Sequence, residues 1–202
     1  MHDDAEDRKF ADVPCEKFPN QGVAIPYNDD AYNGEDIAEN VYSYILAKSH
    51  SYVHITTPYL ILDNNLISSL SFAAKRGVDV SLIVPKHYDH YITFCVGKIF
   101  QKTLIENGVR IFEYNPGFIH AKSFVADGNR GATGSINLDY RSLFHHFECG
   151  VFLYCSPEIA RIEEDFQNTL KDCTEVTMEI YKKTPLVTRI IGWIFKIFAP
   201  LL

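Results

Sequence analysis

Apolar positions recur at spacings of three and four from residue 34 onward. Ile37, Val41, Tyr44 and Ile45 mark one face of a helix that ends near His50. Residues 52–58, YVHITTP, are rich in β-branched and aromatic side chains and predict a strand. The alternation then repeats. A helix over 66–76 is closed by Gly77 in the usual C-terminal position, and a strand follows over 78–84. A polar loop over 85–90 leads to a helix over 92–106, stopped by Asn107-Gly108, and to a strand over 109–114. Residues 119–126 and 131–135 read as two strands joined by the turn Asp127-Gly128-Asn129. A helical turn over 139–143, a strand over 147–154 and a helix over 157–170 complete the body. Strand-helix-strand units followed by adjacent hairpin strands predict an α/β fold, a mixed β-sheet flanked by α-helices.

The two ends differ from this body. Residues 1–33 carry many Asp, Glu, Asn and Pro with little periodicity. They are expected to form a linker or poorly ordered N-terminal segment, with residues 21–27 as a possible edge strand. Such an acidic stretch suits a position between two domains, so the chain reads as a piece of a longer protein. The body spans 34–180. Residues 181–202 predict an apolar C-terminal helix carrying Trp193, several Ile, Leu and Phe, and the cations Lys182, Lys183, Arg189 and Lys196. At about 15 residues the apolar stretch is shorter than the ~20 needed to span a bilayer. Its composition suits a membrane interface, and it suits equally a helix docked on the domain or on a neighbouring one.

Charge changes the picture once it is divided. The chain carries a net −7, yet residues 1–39 hold 3 Lys/Arg against 11 Asp/Glu and the remaining 163 residues hold 16 against 15. The body is nearly neutral and lacks a strongly basic nucleic-acid footprint, so no nucleic acid partner is expected. The five cysteines are odd in number and contain no C-x-x-C pair, which points to buried, reduced thiols. The first ten residues have no signal-peptide pattern.

The chemistry concentrates in residues 118–137, FIHAKSFVADGNRGATGSIN, where His120, Lys122, Asp127, Gly134, Ser135 and Asn137 are spaced H-x-K-x4-D-x6-G-S-x-N. Histidine can act as nucleophile, acid or base near neutral pH, and lysine is a point charge suited to a phosphate oxygen. On a strand, alternate side chains share a face, so His120 and Lys122 are expected to project together. Such a set suits phosphoryl transfer and is expected to need no metal ligand and no cofactor. The other histidines form no compact zinc spacing. His87 and His90 lie in a loop that could border the pocket, His145 and His146 precede a strand, and His54 reads as a core or sheet-face residue. Tyr59 and Tyr140 read either as pocket walls or as packing.

HAKSFVAD and GSINLDYRS resemble the HKD motif of the phospholipase D superfamily. TTPYLI, KRGVDVSLIVP, GVRIFEYNPGFIHAKSFVADG, GSINLDYRS and FECG resemble, in order, the C-terminal catalytic domain of bacterial cardiolipin synthases. The resemblance runs from about residue 34 to the end. It implies a phospholipase D-like fold with one HKD half-site, and a site formed by His120, Lys122, Asp127 and Glu148 with Ser135 and Asn137 on substrate oxygens. Within that set Asp127 is usually structural, and Glu148 is expected to partner the histidine. The implied reaction passes a phosphatidyl group between two phosphatidylglycerol molecules through a phosphohistidine, giving cardiolipin and glycerol at the cytoplasmic face of a bacterial membrane. No second H-x-K occurs in the chain. The other motif must come from a second HKD domain of the same full-length chain or from a homodimer partner. The alternative activity is a homodimeric single-motif phosphodiesterase or nuclease.

Overall fold

The elements follow from the alternation of apolar runs and turn residues, and a computed structural model describes them over residues 21–32 and 34–201. In chain order they are β1 (Val23–Asp29), α1 (Ile37–Lys48), β2 (Tyr52–Thr56), β3 (Leu60–Ile61), α2 (Asn64–Lys75), β4 (Asp79–Pro85), α3 (Tyr91–Glu106) and β5 (Arg110–Tyr114). There follow β6 (Ser123–Ala126), β7 (Arg130–Gly134), β8 (Leu138–Asp139), α4 (Tyr140–Phe144), β9 (Glu148–Tyr154), α5 (Glu158–Leu170), β10 (Cys173–Glu175), α6 (Met178–Lys182) and α7 (Leu186–Phe195). A 3-10 segment, Lys196–Leu201, closes the described chain.

Among the described residues, eight strands form one mixed sheet in the order β1-β9-β7-β6-β2-β4-β5-β10. Strands β2, β4 and β5 pair in parallel through helical crossovers. The hairpin half, β6, β7, β9 and β1, is antiparallel throughout. A parallel β3–β8 pair lies apart from the main sheet. The edge strand expected over residues 21–27 is β1, shifted two residues along, while the expectation for residues 1–20 lies outside the described residues.

Both faces of the sheet are covered, and strand alternation assigns side chains to each. Phe124 and Ala126 join the main core with Tyr42, Leu66 and Phe100, whereas Val125 between them packs with Leu153 and Ile159 beneath α5. On β4, Leu82 and Val84 face the main core and Ile83 meets Phe112 and Phe166 on the α5 side. Burying Phe166 contributes about 1.5–3 kcal/mol relative to exposure, which makes it a principal anchor for α5. The ion pair of Lys98 on α3 with Glu113 on β5 is also buried.

Three expectations are corrected. The strand drawn over 119–126 begins at Ser123, because its ladder partners start only at Thr133 and Thr56. The C-terminal helix over 181–202 is broken at Pro185, whose ring cannot continue the preceding helix, and α7 in turn gives way to the 3-10 segment at Lys196. Of the cysteines read as buried, Cys95 is, Cys173 is half-buried, and Cys149 and Cys155 are exposed. The short strands β3, β8 and β10 carry too few residues for a visible period.

Candidate active site

The hairpin β6–β7 is turned by Asp127 and Gly128, with φ of 50° and 65°. Two consecutive left-handed residues make the tight turn that matches strand twist, and Asp-Gly tolerates it. The Asp127 carboxylate accepts backbone N–H groups from His50 at 2.8 Å, Ser51 at 2.9 Å and Tyr52 at 3.0 Å. Burial pushes its pKa upward, but these three donors outweigh it and hold the acid below its ordinary range. Asp127 therefore ties the start of β2 to the hairpin and stands at the far end of β6 from His120.

His120 and Lys122 lie on the segment just before β6, outside the hydrogen-bonded ladder. The Lys122 carbonyl accepts from Thr133 Oγ1 at 3.1 Å, which pins the segment against β7. Lys122 Nζ donates to the His120 carbonyl at 2.7 Å and lies 2.8 and 3.3 Å from the ring nitrogens Nδ1 and Nε2. The expected projection of the two side chains to one place holds, although the backbone is not a strand there. Burial lowers the pKa of Lys122, opposed by the negative charges of Glu148 and Asp139. The His120 ring is exposed and lies 5.7 Å from the Phe118 ring.

Gly134 and Ser135 show why the motif needs these two residue types. A Cβ at Gly134 would stand 2.2 Å from the Cys149 carbonyl oxygen, so only glycine lets β7 approach β9 here. That carbonyl accepts the Ser135 N–H at 2.9 Å, and Ser135 Oγ accepts the Cys149 N–H at 3.0 Å. The Ser135 hydroxyl also hydrogen-bonds Glu148. Asn137 donates to Asp139, the buried acid that caps α4 by accepting the Ser142 N–H at 2.7 Å. Burial raises the Asp139 pKa. Asn137 Oδ1 is buried and finds no hydrogen-bond partner among the described residues.

Glu148, expected beside His120, is bonded instead to Ser135, and its other oxygen lies 3.4 Å from His146 Nδ1. Arg141 Nε donates to His146 Nε2 at 2.7 Å. The sequence reading missed this Arg141–His146–Glu148–Ser135 chain. Arg141 stands inside the GSINLDYRS motif, which is the signal that could have raised it. His145 Nε2 lies 3.0 Å from the Pro200 carbonyl oxygen, and His54 is sandwiched between Tyr52 and Phe166 with Nδ1 2.8 Å from Glu163. Tyr59 donates to Asp89 and, with His87, His90 and Phe118, lines a small notch beside His120. Tyr140 packs against the core.

His120, Lys122, Ser135 and Asn137 line one open cleft of about 770 Å³, to which Glu158, Arg161 and Asp165 of α5 also contribute. Among the described residues, no group of three or more His, Cys, Asp or Glu converges as a metal site. An exposed imidazole beside a lysine and a hydroxyl can attack, or donate a proton to, a phosphodiester.

The family model described as "Cardiolipin synthase, PLD-like domain" matches residues 42–170. The chain belongs to this family of the phospholipase D superfamily. Its particular likeness is to cardiolipin synthases: one from Clostridium perfringens strain SM101 is 34% identical over 168 residues, covering 83% of this chain and 35% of that protein. An uncharacterized protein of Streptococcus mutans is 43% identical over 200 residues, covering 98% of this chain and 43% of that protein. The chain thus spans well under half the length of these relatives. Among solved structures, phosphatidylserine synthase of Haemophilus influenzae Rd KW20 superposes with a TM-score of 0.68 at 17% identity, over 93% of this chain and 49% of that one. Nuc of Salmonella typhimurium, a phospholipase D family member, gives 0.63 at 17% identity, over 76% of this chain and 99% of that one. Those two likenesses concern the fold.

Proposed function

We propose that this chain is one half-site of a cardiolipin synthase, transferring a phosphatidyl group between two phosphatidylglycerol molecules. The observation that carries the reading is the convergence of His120, Lys122, Ser135 and Asn137 on one open cleft, together with the family membership. One histidine of the complete site attacks phosphorus while the phosphorus–oxygen bond to glycerol breaks, and the other histidine protonates the departing glycerol oxygen. A hydroxyl of the second phosphatidylglycerol then attacks the phosphohistidine and gives its proton to that second histidine as the phosphorus–nitrogen bond breaks. His120 serves as one of the two. Lys122 and Asn137 stabilise charge on the equatorial oxygens, Ser135 joins them when its hydroxyl turns from Glu148 to the substrate, and Asp127 holds the hairpin.

The second histidine comes from another PLD-like domain of a longer polypeptide, and the lipid substrate lies in a bacterial membrane, with the domain at its cytoplasmic face. The presence of a single H-x-K favours one alternative, a homodimeric phosphodiesterase that completes the site with a second copy. The test is product stoichiometry from phosphatidylglycerol vesicles. Cardiolipin and glycerol should form in equal amounts with the longer polypeptide and not with the 202-residue monomer. Phosphatidic acid released by a dimer of the isolated chain would replace this reading with the alternative.

A further inference from the structure

Helix α7 is apolar nearly all round, and the structure divides that apolar surface into two jobs. Its inner side packs on α3. A Cβ at Gly192 would lie 2.1 Å from the Cys95 carbonyl oxygen, so the helices touch backbone to backbone there. Thr188 Oγ1 lies 3.1 Å from Tyr91 Oη, and Ala199 of the 3-10 segment is part of the main core. The outer side is uncovered: Val187, Trp193 and Ile197 are 64%, 71% and 75% exposed, with Ile190, Ile194 and Leu201 beside them. Between α3 and the outer side runs a groove of about 450 Å³, floored by Ile99 and Ile190 and rimmed by Lys102, Arg189 and Lys196. Lys102 is paired with Glu106, but Arg189 and Lys196 stack over the rings of Tyr181 and Phe100 and face no carboxylate among the described residues.

Charge selects the occupant. Residues 181–202 hold 4 Lys/Arg and no Asp/Glu, so the other 180 residues hold 15 Lys/Arg against 26 Asp/Glu. The segment that carries this exposed apolar face is thus net positive, while the rest of the chain is net negative. Trp beside aliphatic side chains and flanking cations is the composition of a segment lying in a bilayer interface. No described helix is long and apolar enough to cross one. We propose that the outer face of α7 and the 3-10 segment is a second lipid-contacting surface, distinct from the His120 cleft. It seats on an anionic phospholipid bilayer, with lipid phosphate held in the groove by Arg189 and Lys196. The surface anchors the domain flat on the membrane, whichever reaction His120 performs. Because α7 begins against Tyr91, at the α3 end that adjoins the notch beside Phe118 and His120, the anchor also sets how the cleft faces the lipid.

Trp193 is the only tryptophan in the chain, so its fluorescence reports the surface directly. His120→Ala removes turnover and separates this test from the proposed transfer reaction, so binding can succeed where catalysis fails. Vesicles of phosphatidylglycerol and phosphatidylcholine should shift Trp193 emission to the blue, and brominated lipid should quench it, while pure phosphatidylcholine should do far less. Adding Arg189→Gln and Lys196→Gln should weaken partitioning roughly 25-fold, about fivefold per charge near an anionic surface. Val187→Asp with Ile197→Asp, at positions clear of α3, should abolish it without changing the melting temperature. An unshifted Trp193, equal binding to both lipid compositions, or unchanged binding by the aspartate pair would overturn the proposal. Concentration-dependent dimers with a blue shift in the absence of lipid would assign the face to a second copy and overturn it too. So would loss of Trp193-dependent lipid quenching in the longer polypeptide, where the preceding chain would be the cover.

Discussion

Arg141 Nε meets His146 Nε2 at 2.7 Å. Arginine has only donors to offer, so Nε2 must accept and the proton sits on Nδ1, 3.4 Å from a Glu148 oxygen. The ring links a fixed cation to the carboxylate that hydrogen-bonds Ser135. His146→Ala should therefore lower the transfer rate by about tenfold or more, the worth of a hydrogen bond to a charged group, while leaving the Michaelis constant nearly unchanged. His146→Gln, whose amide oxygen can still accept from Arg141, should recover part of the loss. A rate unaffected in both variants would show that the chain ends at Glu148.

Asp127 provides the pH prediction. Its folded-state pKa is depressed, so its contribution to stability is present above the unfolded carboxylate pKa and is lost as pH falls through the folded value. Asp127→Asn keeps the shape and loses the charge on three backbone donors. Chemical denaturation should find the variant destabilised by about 1.5–3 kcal/mol at pH 7, with the difference from wild type shrinking below pH ~4. A difference independent of pH would assign the effect to side-chain geometry alone.

Gly192 tests the docking of α7. With no room for a Cβ against the Cys95 carbonyl, Gly192→Ala should force the helices apart and cost about 1–3 kcal/mol in thermal unfolding. Amide exchange should speed up across residues 186–201 more than in the sheet. Unchanged melting and exchange would mean that α7 is held by the 3-10 segment and not by this contact.

How far the sequence spoke depended on whether a feature was local. The Asp127-Gly128 turn, the Gly77 stop after α2 and the three crossover helices are encoded by neighbouring residues, and they stand where periodicity placed them. The two-residue strands β3 and β8 exist only because distant segments meet, so nothing in Leu60-Ile61 announced them. At the site, the motif's His120, Lys122, Ser135 and Asn137 stand in one cleft, and the alternation of His120 and Lys122 survived the loss of the strand beneath them. The Glu148 contact went elsewhere because it depends on how β7 and β9 align: the approach permitted by Gly134 sets Ser135 against Glu148. The break at Pro185 could have been read from that residue alone, but the two-sided use of α7 required seeing Gly192 against Cys95.

The proposed transfer depends on His120. The most direct measurement is the cardiolipin yield from phosphatidylglycerol vesicles with the longer polypeptide, wild type against His120→Ala, at equal folded protein. Whether His120 attacks phosphorus or protonates the leaving glycerol, its removal should reduce the yield at early times by about a hundredfold or more. Equal yields from the two proteins would exclude His120 from the transfer.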